Sequence, residues 1–418
     1  MNATANHKTR SLWLMGALHA FTHVYNVALL PLYLLMQRDF KFASVGQATA
    51  LVTVQMVAYF LPSYPMGVLA DRVSRKKLLG YGLLINALGY VGLAYAPNYA
   101  CALIAVIIAG VGGSFYHPAA TAMVARLYPV GTGRALGLIG VGASVGFFVG
   151  PIYAGWRATL LEPLLGAEAW RRPVLELGGL GVLAAILFFW LADDDPPGPI
   201  PTKAARSAEK LFPSPLLALL FLAGAGAFSL RDFAGSAMGS LGSLFLQQAH
   251  GYDARHAGLA LSGIFLASAV SNPLFGHLSD RGRKRWASSV LVIAAVVVLA
   301  FPHVPASWAI PMVLTYGFFF MSSYPMVEAA LMQSVPDAVR GRVFGLFITV
   351  GGLIGNLSHW MVGEAVRRMG PAAHEPASYF ALYGVLGGLI LMSLLGLPCL
   401  QAIRKQEHLD DGGQAAYK

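Results

Sequence analysis

Gly67-Val68-Leu69-Ala70-Asp71-Arg72-Val73-Ser74-Arg75-Lys76-Lys77 closes one long apolar run, and Gly276-His277-Leu278-Ser279-Asp280-Arg281-Gly282-Arg283-Lys284-Arg285 closes another. In both, a glycine and an Asp-Arg pair give way within a few positions to a knot of cationic residues. Asp71 and Asp280 are 209 positions apart, half of the 418-residue chain. Two more landmarks return at nearly the same offset: Gly133-Arg134-Ala135-Leu136-Gly137-Leu138 with Gly341-Arg342-Val343-Phe344-Gly345-Leu346, and Pro118 with Pro325. One such match is plausible by chance. Three at one offset indicate a duplicated unit.

The runs between these landmarks are apolar. Of all residues 56% are hydrophobic and 11% are Asp, Glu, Lys or Arg, with a mean hydropathy of +0.62. A water-soluble protein carries about 25% charged residues, so this chain lacks the polar cover of a cytosolic enzyme. High apolar content also excludes a disordered chain, and two cysteines, Cys101 and Cys399, exclude a disulfide scaffold. The formal charge is +10, but the cations lie in short clusters between apolar runs, without the patch and interleaved aromatics of a nucleic-acid surface. No nucleic-acid partner is expected.

A hydrocarbon core of about 30 Å takes roughly 20 apolar residues per helix. Twelve spans are predicted, near 11–36, 44–70, 77–96, 99–125, 134–157, 173–191, 214–247, 255–279, 286–302, 307–334, 342–363 and 378–402. The first run is too long for the core of a cleaved signal peptide. Basic residues gather in alternate loops: Arg72, Arg75, Lys76 and Lys77; Arg126 and Arg134; Lys203, Arg206 and Lys210; Arg281, Arg283, Lys284 and Arg285; Arg340 and Arg342. Lys and Arg in short loops stay cytoplasmic, so both termini are expected there, in a bacterial-type inner membrane. Asp193-Asp194-Asp195-Pro196-Pro197-Gly198-Pro199 cannot span a membrane. The predicted organisation is therefore an all-α membrane protein: a six-helix bundle over 1–192, a cytoplasmic linker over 193–213, and a second bundle over 214–418.

The Gly-x-x-x-Asp-Arg-x-x-Arg-Lys-Lys loop, its copy, and twelve spans in two halves resemble the major facilitator superfamily of secondary transporters. The resemblance implies a gating role for Gly67, Asp71, Arg72, Arg75, Gly276, Asp280 and Arg281. The glycine would let two helices approach, and the charges would form a cytoplasmic network that locks the outward-open state. It also implies a monomer that moves a small molecule across the bilayer by alternating access, with no cofactor and no enzymatic activity.

In the fifth span Gly142, Gly146 and Gly150 recur every fourth residue before Pro151. Such a stripe packs helices tightly, and the proline loosens the helix. It also resembles the antiporter motif of drug exporters, with an imperfect counterpart at Gly351, Gly352 and Gly355. Leu18-His19-Ala20-Phe21-Thr22-His23 and Gly112-Gly113-Ser114-Phe115-Tyr116-His117-Pro118 look like the fosmidomycin-resistance branch, whose members resemble drug:proton antiporters expelling an anionic phosphonate. This chain departs from that branch at His23 and Ala119, where carboxylates for coupling would be expected.

An ionisable group inside a span is expensive and defaults to a functional hypothesis. The seventh span holds Arg231-Asp232, whose side chains leave the helix about 100° apart. They are therefore not expected to form one simple pair. One would face a cavity and the other a neighbouring helix, or the two charges would merely compensate each other. His19, His23 and Asn26 share one face of the first span, either to bind a proton or an anion or as neutral cross-helix hydrogen-bonding groups. Metal coordination finds no carboxylate or thiolate at ligand spacing, and no metal is expected. His117 beside Pro118 matches Tyr324-Pro325 in the tenth span, where Glu328 is the lone acid. It is either a proton carrier with Asp232 or a partner of cytoplasmic arginines.

Gly142-Ala143-Ser144-Val145-Gly146 also fits a hydrolase nucleophile elbow, but that chemistry needs a strand-to-helix turn and the setting is an apolar helix. No Gly-Lys dipeptide exists to start a phosphate-binding loop. The expectation is proton-coupled export of a drug or small organic anion. The alternatives are proton-coupled uptake of an organic anion or a transporter-like sensor without flux.

Overall fold

The computed structural model describes residues 2–70, 72–128, 132–193, 211–212, 214–279, 282–332, 334 and 337–403. Among them every regular element is helical. In order they are α1 (Asn2–Val27), α2 (Tyr33–Asp39), α3 (Val45–Phe60), α4 (Ser63–Ala70), α5 (Arg75–Ala94), α6 (Tyr99–Gly113), α7 (Tyr116–Leu127), α8 (Thr132–Leu165), α9 (Arg171–Leu191), α10 (Pro215–Leu244), α11 (Ala254–Ser279), α12 (Arg283–Ala300), α13 (Ala309–Met332), α14 (Asp337–Met369) and α15 (Phe380–Ser393). Ten helical stretches are long and apolar enough to cross a membrane, and Val45–Phe60 adds a shorter apolar helix. The longest stretch, Ala135–Leu191, contains both α8 and α9. Of the gating residues, Asp71, Asp280 and Arg281 lie outside the described residues, as does most of the linker, 194–210 and 213.

Four predicted spans are not continuous helices, the twelfth being interrupted at Leu394 and Leu395 ahead of Pro398, and proline accounts for each break. It lacks an N–H and its ring crowds the carbonyl four residues back. The first span breaks after Val27 into a 3-10 turn over Leu30–Leu32 that contains Pro31. The second breaks at Leu61 and Pro62, and the fourth at Ser114 and Phe115, four residues ahead of Pro118. By contrast Pro151, Pro273 and Pro325 sit inside unbroken helices. Where helices begin cleanly, polar caps take an orphan amide: Ser74 accepts from Lys77 N–H, and Asn98 from Cys101 N–H.

The long helices α8 and α14 end alike. Gly166 and Gly370 follow them, both at φ +57°, and each opens a short 3-10 segment. Only glycine enters that left-handed conformation without a penalty.

The chain divides into two compact units. The first comprises Met1–Ile200, Gly239–Phe265 and His359–Glu375. Its tightest seam joins α1 to α8. A methyl at Gly142 would overlap the carbonyl oxygen of Gly16, and one at Gly146 that of Ala20, while Gly150 faces Val24 and Val27. The expected glycine stripe is thus a packing surface. It extends past Pro151, where Gly155 abuts the backbone of Ala254 and Gly258 that of Pro151. The motif glycines behave otherwise. Among the described residues Gly67 meets only Pro118, at 3.9 Å, and Gly276 has no atom within 4 Å, so neither makes a close helix approach to a described residue.

The second unit comprises Pro201–Met238, Leu266–Ser358 and Pro376–Lys418. Its core gathers Phe221 and Phe228 of α10 with Phe275, Val290, Val327, Val343 and Leu400. In both units large apolar side chains point outward, among them Trp13, Leu164, Trp190, Val270 and Leu395. In water that surface would aggregate; in lipid it needs no cover.

The loops poor in basic residues are charge-balanced. Arg38 donates to Glu162 at 2.6 Å, Arg171 to Asp39 at 2.7 Å, Arg157 to Glu176, and Arg367 and Arg368 to Glu364. These arginines therefore add little net positive charge to their side.

Candidate functional site

Each unit carries a polar cluster built from the predicted residues. In the first, the glycine seam brings the α8 backbone so close to α1 that His19 Nδ1 reaches the Ile139 carbonyl at 2.8 Å. That contact fixes the ring: Nδ1 carries the proton, and Nε2 presents a lone pair. One turn on, His23 Nε2 lies 3.0 Å from His19 Nε2, and the Asn26 amide nitrogen lies 3.4 Å from His23 Nδ1. A single proton arrangement fits: Asn26 donates to His23 Nδ1, His23 Nε2–H donates to His19 Nε2, and His19 Nδ1–H donates to Ile139.

The i, i+4, i+7 face of α1 is therefore one hydrogen-bonded row, as its spacing predicts. The fold adds His117, whose ring centroid is 5.1 Å from that of His19 and 5.7 Å from that of His23. Ligand atoms of the three histidines lie within 4.8 Å of one another. Metal coordination was set aside for want of a carboxylate or thiolate at ligand spacing; the fold instead brings a third imidazole, from beyond the break before α7, to the two on α1. Tyr116 stacks on His19 at 4.5 Å and anchors its hydroxyl on the Met15 carbonyl, while Phe147 covers His23 at 4.1 Å. His19 and His23 are buried, and His117 is exposed.

In the second unit Arg231 and Asp232 do pair. Arg231 Nε and Nη2 donate to Asp232 Oδ1 at 3.0 and 2.8 Å. The expectation that neighbours on a helix could not form one pair fails because the guanidinium sits at the end of a long flexible stem and folds back across the 100° between them. Arg231 is 1% exposed. Its guanidinium lies 3.9 Å from the centre of the Tyr324 ring, and Nη1 has no hydrogen-bond partner among the described residues. Glu328, one turn beyond Tyr324, also acts on the Arg231 charge. Asp232 fits because α14 has glycine opposite it: a methyl at Gly351 would overlap Asp232 Oδ2, and one at Gly355 would come to 3.1 Å of its backbone. The imperfect glycine counterpart in α14 thus makes room for an acid.

Sequence reasoning missed a third polar chain, in the first unit. The Tyr33 hydroxyl is 2.9 Å from Ser240 Oγ, which is 2.6 Å from His359 Nδ1. Nearby, Tyr25 bonds the Leu177 carbonyl, and its own carbonyl, near the broken end of α1, accepts from Gln55 and Tyr90. A lone histidine among small residues in α14 gave no signal, although its burial inside a span would have justified a search for its partner.

Comparison with known proteins agrees with this architecture. The profile of the Major Facilitator Superfamily matches residues 12–359. The fosmidomycin resistance protein of Escherichia coli K12 is 26% identical over 359 residues, 82% of this chain and 84% of that protein. The multi-drug resistance efflux pump PmrA of Streptococcus pneumoniae is 29% identical over 331 residues, 75% of this chain and 78% of the pump. Among solved structures, a bacterial homologue of the human lysosomal transporter Spinster, inward-facing and unoccupied, superposes with a TM-score of 0.76 at 16% identity. It covers 96% of this chain and 97% of that one. Broken apolar helices, polar groups buried inside them, and a family match over most of the length have one reading: this chain is a multi-pass membrane transporter and belongs to the Major Facilitator Superfamily.

Proposed function

We propose that the chain exports a drug or small organic anion from the cytoplasm in exchange for protons. In this reading it has twelve spans, both termini on the cytoplasmic side of a bacterial-type inner membrane, pseudo-symmetric halves over 1–192 and 214–418 joined by the linker 193–213, and a monomeric working unit. The repeated landmarks, the matching ends of α8 and α14, and the charge-balanced outer loops support the topology. The glycine seam and the names of the relatives, resistance protein and efflux pump, support export.

Asp232 carries the coupling. It is a carboxylate in mid-span, held through one oxygen by Arg231 and backed by glycine. A proton on Asp232 removes the charge that holds the guanidinium, and in an exchange cycle that proton and the cargo occupy the site in turn. Glu328, one turn beyond Tyr324, is the second acid of this reading. His19, His23, Asn26 and His117 supply the polar wall of the first unit.

The same geometry favours a second reading. Protonating Asp232 and seating an anion on Arg231 reinforce each other, which is the logic of proton-coupled uptake of an organic anion. Proteoliposomes separate the two. With an imposed outward gradient of a phosphonate or carboxylate, export by exchange moves protons against the anion, whereas co-transport moves them with it. Overexpression should raise drug tolerance under the first reading, and accumulate labelled anion under the second. No flux of any anion or drug, with intact protein, overturns both.

A further inference from the structure

We propose that His19, His23 and His117 form a binding site for a divalent transition-metal ion of the zinc, nickel or cobalt type, with three imidazole ligands and the fourth position open. The site does not depend on the direction of transport or on Asp232.

The geometry is nearly assembled. A tetrahedral ion with bonds of about 2.0–2.1 Å sets its ligand nitrogens roughly 3.3–3.4 Å apart. His19 and His23 already hold their Nε2 atoms 3.0 Å apart, and all three ligand atoms fall within 4.8 Å. The largest adjustment is therefore about 1.5 Å. It falls on His117, the exposed member, which stands just past the break between α6 and α7 and leaves the ion a way in. The outer contacts fit as well. A metal-binding imidazole is usually oriented by a hydrogen bond from its other nitrogen. His19 has that bond, to the Ile139 carbonyl at 2.8 Å, which aims Nε2 at the cluster. For His23 the ion replaces the hydrogen between the two Nε2 atoms. The ring proton moves to Nδ1, where a turned Asn26 amide accepts it through Oδ1. Tyr116 and Phe147 wall the two buried rings.

The donor set selects the ion. Imidazole suits zinc, nickel, cobalt and copper, whereas magnesium, calcium and manganese prefer carboxylates, carbonyls and water. Three neutral rings leave the ion's double charge uncompensated, so the open position takes an anion or hydroxide.

The test uses the full chain, tag removed, in lipid nanodiscs, with Co2+ as a spectroscopic probe. One Co2+ per chain is expected, with the intense visible absorption of a four-coordinate ion. Equimolar Zn2+ should displace it, and a large excess of Mg2+ or Ca2+ should not. His117→Ala, at an exposed side chain, should weaken binding by at least about 100-fold, and His117→Cys should restore it, since thiolate also ligates. His250→Ala with His256→Ala, which removes two histidines outside the cluster, should change nothing. Absence of a stoichiometric ion, a weak six-coordinate spectrum, or binding that survives His117→Ala or is lost in that double variant overturns the site.

Discussion

The carboxylate of Asp232 occupies the space that a side chain at Gly351 would fill. Helix α10 thus places its acid, and α14 makes the acid possible by having nothing there. The pairing also explains why Asp232 presents one oxygen to Arg231 and turns the other toward a backbone.

Gly351→Ala should therefore act on transport through Asp232. The methyl must push Oδ2 aside and disturb the pair with Arg231, at a packing cost of about 1–3 kcal/mol. Flux in proteoliposomes should fall about tenfold or more, with normal insertion. Gly345→Ala, at a position with no described atom within 4 Å, should leave flux within twofold of the parent. Equal flux in the two variants would remove Asp232 from the coupling site.

Asp232→Asn and Arg231→Ala should each abolish transport while the chain still inserts. Their effects on stability differ. Asparagine leaves the guanidinium buried without a counter-charge, and breaking a buried pair from one side costs about 3–5 kcal/mol. The double variant Arg231→Met, Asp232→Leu should recover most of the thermal stability lost in Asp232→Asn without recovering flux. A double variant as unstable as Asp232→Asn would show that the charge is not the source of the loss.

The α1–α8 seam predicts a graded response to alanine. Gly142→Ala and Gly146→Ala place a methyl on the carbonyl oxygens of Gly16 and Ala20 and should lower the unfolding temperature in detergent. Gly137→Ala and Gly140→Ala meet no described atom within 4 Å, and the better helix former should hold or raise it, by up to about 1 kcal/mol. Uniform behaviour of the four would mean the stripe does not pack as described.

Ser240→Ala cuts the chain from Tyr33 to His359 at its middle and removes two buried hydrogen bonds, to the Tyr33 hydroxyl and to His359 Nδ1. Each is worth about 0.5–1.5 kcal/mol, so the variant should unfold earlier than Ser229→Ala, which removes a buried hydroxyl bonded to the Ala225 carbonyl. Comparable melting of the two would show that the three-residue chain adds nothing beyond a single hydrogen bond.

Much of this was legible in the sequence because lipid is a strict solvent. Apolar length gave the helices, four-residue glycine spacing marked α8 as a tight-packing helix without naming α1 as its partner, and the scarcity of charge singled out Arg231 and Asp232. Prolines marked where helices could break but not which would: Pro118 follows an interruption, whereas Pro325, its counterpart by offset, rides inside α13. That difference decides where His117 goes, and hence the three-histidine cluster. No periodicity within one helix reports a contact between two. The Arg231–Asp232 pair was misjudged because helical phase fixes where a side chain starts, not how far a long one can bend back. Glycine at Gly67 and Gly276 looked like a packing device, and among the described residues neither has a close neighbour.

The seam between α1 and α8 is built from main chain, with Gly142 and Gly146 set directly against the carbonyls of Gly16 and Ala20. Main chain has no rotamers to exchange, so this joint cannot yield by small side-chain rearrangements as an ordinary helix pair does. Any bend of the first span is thereby displaced from the seam to the interruption at 28–32, at whose edge the carbonyl of Tyr25 is held by Gln55 and Tyr90.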